Sequence, residues 1–80
     1  MLRDEDITRI GKALAETLRA RREGLGLSKN SLAQKAGVSV QSVSFIEDGV
    51  NSPSVSTLLR LCEALGTTPE KVFKEARKIP

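Results

Sequence analysis

The sequence contains no histidine, no tryptophan and no tyrosine, and its only cysteine is Cys62. Without histidine, no serine has a base to activate it. The sequence also has no second cysteine and no acidic cluster with the spacing of a metal site. We therefore predict no enzyme, no metal and no other cofactor. A single cysteine cannot form an internal disulfide, so nothing indicates an oxidising compartment. No apolar run could span a membrane and the N-terminus is too acidic for a signal peptide, which makes a cytoplasmic location the expectation.

The size and composition of the chain indicate one small folded domain, residues 1–80. Charged residues make up 29% and apolar residues 39%, which is the balance of a folded chain. Two phenylalanines are the only aromatic residues, so the core must consist of Leu, Ile, Val and Ala, which suits packed helices. A domain of this size is marginally stable alone, and a partner chain would help. The net charge of +3 only weakly favours nucleic acid as a partner.

Apolar spacing predicts five helices and no strand. The predicted ranges are about 7–24, 29–36, 40–48, 55–65 and 69–77. The apolar stripe of the first helix is predicted to contain Ile7, Ile10, Leu14 and Leu18. That of the fourth is predicted to contain Val55, Leu58, Leu59, Cys62 and Leu65, with Leu61 at its edge.

The second and third predicted helices are separated by a very short turn. Ser28 and Ser39 stand at their N-cap positions, where a hydroxyl can accept a hydrogen bond from a free backbone N–H. Gly37 and Val38 are the only residues between the end of one helix and the cap of the next. Two helices of about eight residues joined this tightly must cross steeply, which is the helix-turn-helix arrangement.

Several motifs resemble the Cro/C1-type (XRE family) helix-turn-helix domain of phage repressors and related bacterial regulators. The motifs LSxxxLAxxxGVS and VSxIExG occur in the family's order, and the resemblance extends from about Leu14 to Phe73. It implies an all-α, lambda-repressor-like bundle of five helices that places the third helix in the DNA major groove, usually as a homodimer. It also implies a nucleoid-associated protein of bacterial or phage origin.

This resemblance makes the outer face of the third helix the surface that reads DNA bases. Gln41 can contact adenine with a donor and an acceptor together, and Val40 can contact a thymine methyl. Ser42 and Ser44 can reach base edges or phosphate. Phe45 is an unusual exposed aromatic residue, which either contacts thymine methyls or folds back over the bundle.

The phosphate contacts are predicted outside that face, because no lysine or arginine occurs between Gly37 and Leu59. Base reading needs donors, acceptors and methyl contacts, whereas positive charge is needed at the phosphates. Helix N-termini supply free N–H groups for anions. By resemblance, the phosphate contacts are Ser28, Lys29, Asn30, Ser39, Asn51 and Ser52. The family often has basic residues at Phe45 and within 50–52, and arginine or asparagine at Asp48, so this sequence departs from it there.

Two further sets of residues are assigned structural roles. The resemblance pairs Arg22, late in the first helix, with Glu47, near the end of the third, in an ion pair that ties the helices together. It also places the usual dimer contact in the C-terminal part, where the last helix is too short to bury its apolar residues. The predicted dimer contacts are Leu61, Val72 and Phe73.

The sequence therefore predicts a sequence-specific DNA-binding transcriptional regulator, most often a repressor in this family, that binds an inverted repeat of double-stranded DNA as a homodimer. A protein partner is the alternative. In that case the same fold would serve as a protein-interaction module with weak DNA binding, such as an antirepressor, an adaptor or the antitoxin of a toxin–antitoxin pair. The segment 37–59, with Glu47 and Asp48 as its only ionisable residues, keeps this alternative open.

Overall fold

The structure, a computed structural model, describes residues 1–79 and consists of five α-helices joined by short turns. The helices are α1 Asp4–Gly24, α2 Lys29–Ala36, α3 Val40–Glu47, α4 Val55–Ala64 and α5 Pro69–Ala76. No strand occurs within this described part of the chain, so the all-α prediction is confirmed. The bounds of α2 are those predicted, and α3, α4 and α5 end one residue earlier than predicted.

The first helix begins at Asp4 rather than at Ile7 as predicted. Its first turn contains three acidic residues, which stabilise the positive end of the helix dipole. The carboxylate of Asp6 also accepts a hydrogen bond from the backbone N–H of Arg3 at 3.1 Å. Ile7 lies in the exposed first turns of α1, so it does not join the apolar stripe as predicted; the buried part of that stripe begins at Ala13.

Each of the four shorter helices begins with a hydroxyl cap. The side-chain oxygen of the cap accepts a hydrogen bond from the backbone N–H three positions later, and such a bond typically stabilises a helix by about 1 kcal/mol. The caps are Ser28, Ser39, Ser54 and Thr68. Ser28 and Ser39, the N-caps of the two helices of the helix-turn-helix element, are therefore the ones that the sequence predicts.

The turn between α2 and α3 depends on Gly37, whose φ of 72° is in the left-handed region. This conformation lets the backbone N–H of Val38 donate to the carbonyl of Ala33 at 3.0 Å, while the N–H of Gly37 donates to that of Gln34 at 3.3 Å. Both carbonyls would otherwise be unpaired at the end of the helix. The turn thus ends α2 and leads into the cap of α3.

The core lies where α1 packs on α3 and α5, α2 packs on α3 and α4, and α4 packs on α5. Its most completely buried side chains are Leu18, Leu32, Leu61, Val43, Val72 and Cys62. Burial raises the pKa of the Cys62 thiol, because the thiolate would be poorly solvated there. Cys62 is therefore a packing residue, as the sequence indicated.

The inward face of α4 differs from the predicted stripe. Leu61 is buried, whereas Val55 and Leu59 are exposed. Leu61 and Val72 are only 2% and 0% exposed within this chain, so neither has surface to offer to a second copy. The prediction that these two residues form the dimer contact was therefore wrong, and of the three predicted contacts only Phe73 is at the surface.

Candidate nucleic-acid interface

Helix α3, called the recognition helix here because the family resemblance predicts that it enters the major groove, has a buried face and an exposed face. Val43 and Ile46 are buried in the core. Val40 and Gln41 are exposed on the other side, and Ser44 is half-buried. The side chain of Gln41 makes no hydrogen bond to any other part of residues 1–79, so its amide donor and acceptor are both available to a ligand.

Ser42 differs from Gln41 because its polar groups already belong to the helix cap. Its backbone N–H donates to the hydroxyl oxygen of Ser39 at 3.0 Å, and the two hydroxyl oxygens are 2.9 Å apart. Ser42 is half-buried. Base reading by Ser42 stays a prediction, but it would compete with the cap that starts the recognition helix.

For Phe45 the sequence left two alternatives open, an exposed side chain on the outer face of α3 or one that folds back over the bundle, and the structure has features of both. Phe45 lines a small groove together with Asn51, Pro53 and Thr57, so it lies next to the loop that follows α3. The side chain is nevertheless 37% exposed. The carbonyl of Phe45 also accepts a hydrogen bond from the backbone N–H of Val50 at 2.9 Å. One residue thus fixes the start of the loop and leaves apolar surface on the outer face of α3.

The residues predicted to contact phosphate lie at two helix starts and one loop. Ser28 and Asn30 are exposed at the start of α2, with Lys29 half-buried between them, and Ser39 is exposed at the start of α3. The first N–H groups of a helix have no acceptor within it, so both starts present donors for an anion.

The loop between α3 and α4 is polar but carries no positive charge of its own. Asn51 and Ser52 are both exposed there. The backbone N–H of Asn51 donates to the carbonyl of Phe45 at 3.3 Å, which fixes the loop close to the recognition helix. The contact of Asn51 and Ser52 with phosphate stays a prediction.

The expected ion pair between Arg22 and Glu47 is present and bidentate. The Nε and Nη2 atoms of Arg22 lie 2.7 and 3.0 Å from the two carboxylate oxygens, and Nη1 donates to the carbonyl of Leu27 at 2.8 Å. The two side chains are 9% and 3% exposed. The hydrogen bond to Glu47 raises the pKa of Arg22, so the guanidinium stays charged. This pair joins the end of α1 to the end of α3 and fixes the recognition helix on the bundle.

A second ion pair, between Arg21 and Glu75, was missed by the sequence reasoning. Arg21 Nε donates to a carboxylate oxygen of Glu75 at 3.2 Å, and Nη2 contacts the other oxygen. The pair joins α1 to α5. Nothing local in the sequence signals it, because the partners are 54 positions apart.

Two other kinds of feature, a metal site and a membrane-spanning helix, are not found in the described part of the chain. No group of three or more His, Cys, Asp or Glu side chains among residues 1–79 is placed to hold a metal ion. None of the helices in that range combines the length and apolar character needed to cross a bilayer.

The arrangement of α2, the tight turn and α3 agrees with a known family model. The helix-turn-helix model HTH_3 matches residues 18–72, which contain the Arg22–Glu47 pair and the whole of α2, α3 and α4. The chain belongs to the Cro/C1-type (XRE) helix-turn-helix family. Both ends of the chain, including most of α1, lie outside the match.

Solved structures of two regulators are similar to this chain. The first is the clp gene regulator ClgR from Corynebacterium glutamicum. In one crystal structure it is 32% identical, with a TM-score of 0.81 over 86% of this chain and 73% of that one. In a second crystal structure it is also 32% identical, with a TM-score of 0.80 over 86% of this chain and 88% of that one. The second is the restriction-modification controller protein C.AhdI from Aeromonas hydrophila, 30% identical, with a TM-score of 0.74 over 76% of this chain and 92% of that one.

A comparison with curated proteins gave no match. The family match and the two regulator structures agree on the same fold and the same class of protein. Together they support a DNA-binding transcriptional regulator, a class of proteins that are not enzymes.

Proposed function

We propose that residues 1–80 act as one domain that binds a specific sequence of duplex DNA and represses transcription by occluding a promoter. The observation that carries the proposal is the outer face of α3. Gln41 has both polar groups free there and Val40 is exposed beside it. The buried Arg22–Glu47 pair holds the helix that presents them. Such a helix end can read base edges in the major groove.

The start of α2 supports the second part of this proposal, a contact with the DNA backbone. The unpaired N–H groups of its first turn can bind an anion, and Lys29 adds a positive charge at this end, whereas the hydroxyl of Ser28 is already bonded to Ser31 within the cap. Phosphate contacts fix the register of the protein on DNA, whereas base contacts specify the sequence. We therefore assign Lys29 and Gln41 to these two different tasks.

We also propose that the protein is a homodimer on an inverted repeat. Two-fold symmetry lets two short recognition helices read two half-sites about one helical turn apart. Phe73 is 39% exposed on α5, and it is the apolar residue of the C-terminal part on which this proposal now rests. Val55 and Leu59 on the outer face of α4 are additional apolar surface that a second copy could cover.

Selection from a pool of random duplexes tests the proposed function. Recovery of a palindrome, with half-sites about one turn apart, is the expected result. Failure to enrich any sequence at 50 mM salt, with the chain shown to be folded, would contradict sequence-specific DNA binding.

The two residue assignments are tested on the recovered duplex and on a random duplex. Gln41→Ala should weaken binding to the recovered duplex by about 1–3 kcal/mol and affect the random duplex much less. Lys29→Ala should weaken both about equally and flatten the salt dependence by about one unit for each phosphate that is no longer neutralised. Equal losses on both duplexes for Gln41→Ala would show that Gln41 does not read bases.

A protein-interaction module is the second candidate function, and one observation favours it. The segment 37–59 lacks lysine and arginine, and it exposes Val40, Phe45, Val50 and Val55. An antirepressor, adaptor or antitoxin could use such apolar surface for a protein partner. Absence of DNA binding by a folded chain would favour this candidate over the regulator.

A further inference from the structure

A shallow cleft separates the N-terminal half of α1 from the loop between α3 and α4. From α1 it is lined by Thr8, Gly11 and Lys12, and from the loop by Gly49, Asn51 and Ser52. The two sides are about 40 residues apart in the sequence, so only the packing of α1 on α3 brings them together. One side of the cleft, on α1, therefore lies outside the family match, whereas the loop on the other side lies within it.

Three polar side chains of this cleft have no partner in the described residues, whereas the hydroxyl of Thr8 donates to the carbonyl of Asp4 at 3.0 Å. The side chains of Asn51 and Ser52 are exposed and make no hydrogen bond within residues 1–79. Lys12 is exposed and forms no ion pair in the same range. Although Glu16 borders the other side of Lys12, their charged groups are not within the 4 Å of an ion pair. The ammonium is thus available to an external anion.

The region around the loop has no positive charge of its own, so a lysine in the same cleft would supply the charge that a phosphate needs. No lysine or arginine occurs between Gly37 and Leu59. Glu47 is neutralised by Arg22, but the exposed carboxylate of Asp48, next to Gly49 in the chain, has no ion-pair partner in the described residues. A phosphate that approached the loop alone would therefore meet a net negative charge. Lys12 is the cation that lines the same cleft.

We propose that Lys12 and this loop form a DNA phosphate site, in which the Lys12 ammonium and the side chains of Asn51 and Ser52 donate hydrogen bonds to one backbone phosphate. This inference rests on the proposed DNA binding and deepens it. It assigns the positive charge missing from the recognition helix and its loop to a residue of α1 that lies before the family match begins at residue 18.

The test is the salt dependence of binding to the palindromic duplex recovered from the random pool, followed by fluorescence anisotropy. Each phosphate that is no longer neutralised lowers the slope of log affinity against log salt by about 0.9, so Lys12→Gln should lower it by about 1.8 in a dimer. The loss of affinity would then be about 12-fold larger at 50 mM than at 200 mM salt.

Two variants separate a local contact from a general effect of net charge. Lys78→Gln removes the same charge from an exposed position at the end of α5 and should change the slope little. Lys12→Arg keeps the charge and should restore most of the slope. Circular dichroism and the thermal midpoint should be unchanged in all three, because both lysines are exposed.

The remaining outcomes overturn the inference in distinguishable ways. If the wild-type chain binds but Lys12→Gln keeps the wild-type slope, the phosphate site is refuted and the proposed function stands. Equal slopes for Lys12→Gln and Lys78→Gln would refute it too, since the effect would be one of net charge alone. A folded wild-type chain that binds no duplex overturns the inference and the proposed function together.

Discussion

Replacing Glu47 with alanine should cause one of the largest single losses of stability in this protein. The variant removes two charge-assisted hydrogen bonds and leaves Arg22 with one, to the carbonyl of Leu27. Since the Arg22 side chain is only 9% exposed, water cannot replace the carboxylate without movement of the helices. Removing one partner of such a pair typically costs about 3–5 kcal/mol.

This loss is large compared with the total stability of the domain. At about 0.05–0.15 kcal/mol per residue, a chain of this length has a free energy of unfolding of about 4–12 kcal/mol. A loss of about 3 kcal/mol should lower the thermal midpoint by at least about 12 °C. The recognition helix would also lose its link to α1, so DNA binding should fall with stability.

Urea denaturation followed by circular dichroism measures the loss. Glu63→Ala is the matched control, because Glu63 is exposed on α4 and has no ion-pair partner in residues 1–79. It should change the free energy of unfolding by less than about 0.5 kcal/mol. The double variant Arg22→Met, Glu47→Leu should recover most of the loss, since it leaves no unpaired charge. A loss below about 1 kcal/mol for Glu47→Ala would refute the reasoning.

Two further predictions concern the turn and the dimer. Gly37→Ala should cost about 1–2 kcal/mol in urea denaturation, because alanine is strained at a φ of 72°, and its Cβ would lie 3.3 Å from Nη1 of Arg60. Gly24→Ala, at an open position with an ordinary φ, should not destabilise, and equal losses for both would contradict the argument. Phe73→Ala should weaken dimerisation in sedimentation equilibrium without loss of helix content, and a wild-type chain that is monomeric at high micromolar concentration would refute the dimer.

The parts of the fold that depend on local chemistry could be predicted from the sequence. The bounds of α2 and the caps Ser28 and Ser39 follow from hydroxyl and glycine residues that act within one turn of their own position. The helix-turn-helix crossing follows from the shortness of the turn. The Arg22–Glu47 pair was reached through the family resemblance, because its partners are 25 positions apart.

The inward face of α4 could not be predicted, because the helix has more apolar residues than one stripe holds. Two choices of face satisfy helical spacing, one with Val55 and Leu59 and one with Leu61. Packing against α2 and α5 selects the second. The dimer assignment of Leu61 and Val72 failed for the same reason, since both residues fill the core that the monomer itself forms.

Local sequence patterns also could not predict that α1 lies close to the loop after α3. Lys12 is separated in the sequence from Asn51 and Ser52, and no motif connects them. Only the packing of the helix axes brings Lys12 into one cleft with this loop, which has no positive charge. Sequence reasoning therefore identified the lack of positive charge in this region but not the lysine that faces it.

The most direct test of the central claim is the dissociation constant of the purified chain for the recovered palindrome and for a scrambled duplex of equal length, measured at 50 mM salt and above. Specific binding at physiological salt should exceed binding to the scrambled duplex by at least about 1,000-fold. The slope for the palindrome should be about −4 to −5, as about four to six neutralised phosphates require. Equal dissociation constants for the two duplexes, or no binding at 50 mM salt, would contradict sequence-specific recognition of DNA by α3.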